Sequence, residues 1–108
     1  MLNPDEIYHA VIDAGNDYAD KKAAYEALDD VTKSVLADIM SDFMDGKMTR
    51  TEAEMRALAS SRYKTHLASL QAARRAWLFS QVKYDSTKML ADLRRSQEST
   101  ERAQMNLR

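Results

Sequence analysis

Cysteine is absent from this chain, which excludes disulfide staples, zinc–thiolate sites and thiol nucleophiles and fits a reducing compartment. Proline occurs once, as Pro4, and glycine twice, as Gly15 and Gly46, so few positions invite a helix to break. No segment approaches the roughly twenty apolar residues that span a bilayer. The opening MLNPDEIYHAVIDAGNDYAD is acidic and lacks the basic and then apolar regions of a secretory signal. A soluble, cytoplasmic protein without a membrane partner is therefore expected. Gly-rich phosphate loops, G-x-S-x-G elbows and H-E-x-x-H pairs are missing as well, so neither an enzyme nor a cofactor is expected.

What the chain does contain is helix-forming residues. Its 108 residues suffice for one domain with a modest core. The start NPDE combines a capping Asn3, Pro4 at the first helical position, and Asp5 and Glu6 at the positive end of the helix dipole. From there Ile7, Val11, Ala14, Tyr18, Tyr25, Leu28, Thr32, Val35 and Ile39 recur at steps that fit a heptad. Lys21 falls on the same line, where its stem can lie along the stripe with the ammonium outward. Gly15, which costs about 1 kcal/mol relative to alanine in a helix, implies close approach of another backbone.

A second heptad run comprises Tyr63, Leu67, Leu70, Arg74, Trp77, Gln81, Tyr84, Lys88 and Ala91. With no proline or glycine after Gly46, it predicts one helix over about 51–105, following a first over about 4–44 and a turn at about 45–50. The expected fold is an all-α, antiparallel two-helix hairpin of coiled-coil type, filling residues 1–108 as one domain. Tyr18 should then lie near Trp77 and Val11 near Tyr84, with the first helix covering the second to about residue 91.

The second helix is apolar on more than one side. Leu78, Phe79, Val82, Met89, Leu90 and Leu93 fall well away from the Leu70–Trp77–Tyr84 line at about 100° per residue. A hairpin supplies one neighbour, and a helix apolar on two sides needs two. Trp77, Leu78, Phe79, Val82, Met89, Leu90 and Leu93 are therefore the expected interface, either of a homodimer that builds a four-helix bundle or of another protein partner.

The stretch SDFMDGKMTRTEAE between the helices has features of a calcium loop. In a twelve-residue frame from Ser41, Asp45 takes position five, Gly46 six, Met48 eight and Glu52 twelve. Position one is Ser41 in place of a carboxylate, and position three is Phe43, which has no side-chain oxygen. A turn explains the same residues better: Gly46 ends one helix with positive φ, and Thr51 with Glu54 forms a capping box for the next, with Thr49 and Glu52 as an alternative one register earlier. A degenerate calcium site remains the lesser alternative.

His9 lies opposite the first stripe and His66 beside the second, too far apart in pattern to pair. The i,i+4 pairs Asp13/Asp17 and Asp38/Asp42 lack the Glu-x-x-His partners of di-iron bundles, so no metal is expected. The first fifty residues hold eleven Asp/Glu against five Lys/Arg, and the rest hold six against eleven. Two helices of opposite charge laid together account for that asymmetry. Nucleic-acid binding through Arg74, Arg75, Arg94, Arg95, Arg102 and Arg108 is the alternative, less favoured because glutamates interleave the tail and no aromatic there can stack on a base.

The segments SSRYKTHLASLQAARRAW, KYDSTKML and RRSQESTERAQMNLR, spanning about residues 60–108, resemble small helical proteins encoded by tailed bacteriophages, often among early or recombination genes. The closing RSQESTERAQMNLR is the most specific part. The resemblance implies phage or prophage origin, a host bacterial cytosol, and an accessory role exerted through a host or phage protein, such as inhibition of a defence complex or assistance to recombination. It supplies no catalytic residue.

Overall fold

A computed structural model describes residues 3–44 and 46–107 of the chain, and all of its regular structure among those residues is α-helical. Four helices occur where the periodicity predicts two: α1 (Pro4–Asp30), α2 (Thr32–Phe43), α3 (Arg50–Ala59) and α4 (Ser61–Asn106). Each extra boundary has a local cause.

The start of α1 is a reciprocal box. The Glu6 N–H donates to Asn3 Oδ1 at 2.8 Å, and the Asn3 N–H donates to Glu6 Oε2 at 3.3 Å. The break between α1 and α2 falls at Val31, with φ −90° and ψ 0°. Beside it the Thr32 hydroxyl donates back to the Leu28 carbonyl at 3.1 Å, a side-chain bond that bends helices, and Thr32 Oγ1 also lies 2.9 Å from His66 Nε2. Asp29 and Asp30, at the negative end of the α1 dipole, further weaken continuation.

The α3–α4 boundary is Ser60, extended at φ −70° and ψ 152°. Its hydroxyl accepts from the Tyr63 N–H at 3.2 Å and donates to the Ala57 carbonyl at 2.6 Å, so one serine closes α3 and caps α4. Serine can stop a helix without proline or glycine because its short side chain competes for backbone groups.

At the turn, α2 ends at Met44, whose N–H reaches the carbonyls of Met40 and Ser41. Gly46 does take positive φ, +84°, but it stands two residues beyond that cap rather than directly after the helix. Thr49, not Thr51, caps α3 by accepting from the Glu52 N–H at 3.2 Å. Asp45, the central carboxylate of the calcium-loop reading, lies outside the described residues.

The chain divides into two compact units, one of Met1–Asp20 with Trp77–Arg108 and one of Lys21–Ala76. In the second, α2 packs on α3, and Ile39, Ala53 and Ala57 are fully enclosed. The alanines let the two helix backbones approach closely around one branched side chain. In the first unit Ile7 and Ala14 are buried, and the Tyr18 and Tyr84 rings meet at 5.8 Å between centroids. Ile7 and Val11 share a groove with Ala91 and Glu98, so the α1 and α4 segments of this unit run antiparallel. Tyr18 thus meets Tyr84 rather than Trp77, seven residues on from the expected pairing, and α1 covers α4 as far as Glu98.

Candidate interaction surface

The segment of α4 from Trp77 to Leu93 presents two chemically distinct sides. Towards α1 stand Ser80, buried with its hydroxyl donating to the Trp77 carbonyl at 2.6 Å, and the half-buried Gln81, Tyr84, Thr87 and Ala91. Tyr84 fills the space over Gly15: a Cβ built on the glycine would lie 3.2 Å from Tyr84 Cε1 and Cζ. The close neighbour over Gly15 is therefore an aromatic side chain and not a backbone. Lys88 Nζ sits 4.3 Å from the Tyr84 ring centroid and 3.4 Å from Asp85 Oδ1, holding its charge over the edge of this contact.

Away from α1 the same segment is open. Phe79 is 73% exposed, Val82 and Met89 are each 65% exposed and Leu93 is 61% exposed, with Leu78 and Leu90 flanking them at lower exposure. These six residues occupy the side that the sequence assigns to an interface. Trp77 departs from the assignment. It is half-buried, because it lies one heptad before Tyr84 and so shares that residue's side of the helix.

The arginines are not gathered into one surface. Arg74 and Arg75, like Arg94 and Arg95, are sequence neighbours and so point about 100° apart on the helix. Arg94 Nε lies 3.5 Å from Glu98 Oε1, which neutralises part of its charge. Arg95 lines the groove at the start of α1, a space of about 460 Å³ with Ile7, Val11 and Ala91 as its apolar floor and Tyr8, Lys88 and Asp92 at its rim. Arg102 is exposed, and Arg108 lies outside the described residues.

His66 is half-buried against Thr32, while His9 is exposed and stands edge-on to Tyr8 at 5.6 Å. Among the described residues no three His, Asp or Glu side chains are grouped to hold a metal ion, and no helix is long and apolar enough to cross a membrane.

No family model, curated protein or solved structure matches this chain. Any functional reading therefore rests on the chemistry of the surface itself.

Proposed function

We propose that this protein is a non-catalytic helical module that acts by protein–protein contact, with the open side of α4 as its working surface. The observation that supports this is the contrast on one helix between the α1-facing side and a row of large apolar side chains, Phe79, Val82, Met89 and Leu93, each more than three-fifths exposed. Full burial of such a side chain is worth about 1.5–3 kcal/mol. A monomeric surface seldom leaves several of them adjacent without a binding role.

In this reading the chain is a helical hairpin that self-associates into a four-helix bundle and serves as a phage or prophage accessory in the bacterial cytosol, engaging a host or phage protein to modulate a defence or recombination complex. The phage assignment draws on the resemblance of residues 60–108 alone.

The test compares wild type with a Val82→Asp/Leu93→Asp double variant whose helicity by circular dichroism is unchanged. Light scattering reports self-association, and affinity capture from uninfected and phage-infected bacterial lysates reports other partners. Loss of either activity in the variant is the expected result. No association of either kind in wild type, or association that the double variant leaves intact, overturns the reading.

A further inference from the structure

The open side of α4 has the residue order of a coiled-coil seam. With Phe79, Ser86 and Leu93 as a positions, Val82 and Met89 fall at d. The flanks then differ in charge: Asp85 and Asp92 lie at g, and Lys83, Leu90 and Gln97 lie at e. We infer that the occupant of this seam is the α4 helix of a second copy, aligned parallel to the first. The inference rests on the reading of this side as a docking surface and adds both the partner and its direction.

Two observations carry it. The first is the seam itself. Its four large apolar side chains, Phe79, Val82, Met89 and Leu93, are each more than three-fifths exposed at a and d, where knobs-into-holes packing against a helix of the same spacing would cover them. Because α1 already covers the opposite side of α4, one side is left for one further helix.

The second is charge, and it selects the direction. When two such helices run antiparallel, g faces g and e faces e, so Asp85 and Asp92 of one copy are brought against the same aspartates of the other. Like charges so placed are destabilising. In the parallel arrangement g faces the e position five residues on. Asp92 then meets the partner's Gln97, whose amide can donate to the carboxylate; Asp85 meets the partner's Leu90; and Leu78 packs on the alkyl stem of the partner's Lys83. No like pair is formed.

The absence of native cysteine makes the test direct, since one introduced thiol is the only one in the chain. In a parallel pair the two copies of residue 89 lie in one core layer, within the short Cα separation a disulfide requires. In an antiparallel pair residue 89 faces a position nearer Phe79 or Ser86. Mild oxidation of Met89→Cys is expected to convert most of the protein to a linked dimer of twice the mass. Arg102→Cys, on the α1-facing side of the helix, stays unlinked. Light scattering of unmodified wild type is run alongside, so that a folding defect in the variant does not decide the outcome.

A wild-type dimer in which Met89→Cys does not link to itself, while a mixture of Phe79→Cys and Met89→Cys gives the 79–89 disulfide, overturns the parallel direction and leaves the docking surface standing. A monomer at high concentration overturns the second copy as occupant. The docking reading is then decided separately by whether capture of another protein depends on Val82 and Leu93.

Discussion

The α2–α3 contact and the open side of α4 are both built from apolar side chains, yet one is closed and the other is not. Between α2 and α3, Ile39 is 1% exposed and Ala53 and Ala57 are fully covered. On α4, Phe79 and Val82 are mostly in solvent. The difference follows from residue size and from what the chain can bring to each place. Two alanines four residues apart let one helix settle against another, and the short turn from Met44 to Thr49 delivers α3 to α2. On α4, the stretch from α1 that reaches this unit covers one side, and Phe79, Val82, Met89 and Leu93 on the other side stay more than three-fifths exposed.

That contrast is most easily broken by truncation. Ile39→Ala removes three carbons from an enclosed site and should lower unfolding stability by about 2–5 kcal/mol, a large share of the total for a small domain. Val82→Ala removes two carbons from an open site and should change it by no more than about 0.5 kcal/mol. Urea unfolding followed by circular dichroism, at protein concentrations low enough to keep the chain monomeric, compares them. Equal losses would mean that the two regions do not differ as described.

The next effect concerns helix ends. Ser60→Ala deprives Tyr63 N–H of its partner at the head of α4, and Thr49→Ala does the same to Glu52 N–H at the head of α3; each should cost about 1 kcal/mol. Ser61→Ala and Thr51→Ala, one and two residues further on, should be neutral or stabilise by a few tenths of a kcal/mol, since serine and threonine are slightly poorer helix formers than alanine. A larger loss at Thr51 than at Thr49 in the same unfolding assay would restore the later capping register.

These caps mark where the sequence was legible and where it was not. The first heptad stripe was readable: Ile7, Val11, Ala14, Tyr18, Tyr25, Leu28, Thr32, Val35 and Ile39 are all buried or half-buried, since inward positions must be apolar wherever a neighbour exists. The open side of α4 was readable from the same spacing, because about 100° per residue sorts Phe79, Val82, Met89 and Leu93 onto a side distinct from the Tyr84 line. The breaks at Val31 and Ser60 were not, because they use Thr and Ser side-chain hydrogen bonds rather than glycine or proline, and such bonds depend on backbone geometry that spacing does not display. The pairing of α1 with α4 was misread by one heptad, Tyr18 meeting Tyr84 instead of Trp77. A seven-residue slip leaves every inward side chain inward, so periodicity is blind to it. Trp77 was placed in the interface by composition, although its heptad position already grouped it with Tyr84.

Gly15 offers a finer test of that register. Alanine there gains about 1 kcal/mol of helix propensity, but its Cβ would stand 3.2 Å from the Tyr84 ring, so the ring must shift for the gain to appear. Gly15→Ala alone should be nearly neutral. In a Tyr84→Ala background, where the obstruction is gone, the same change should stabilise by about 1 kcal/mol. A double-mutant cycle by thermal unfolding reads the coupling directly. Additive effects would mean that Tyr84 does not sit over Gly15, and the one-heptad assignment would fail with it.

A small effect is also expected from the ion pair of Asp42 on α2 with Arg62 on α4, the carboxylate Oδ2 accepting from the guanidinium Nη1. Both side chains are more than half exposed, 64% for Asp42 and 61% for Arg62, so water and salt screen the attraction. Asp42→Asn should therefore cost only about 0.2–1 kcal/mol, and the loss should shrink as ionic strength rises. The contrast with Ile39, three residues away on the same helix, makes this informative. If Asp42→Asn approached the cost of Ile39→Ala and resisted salt, the tie between α2 and α4, and not the dry α2–α3 contact, would be the principal restraint on α2.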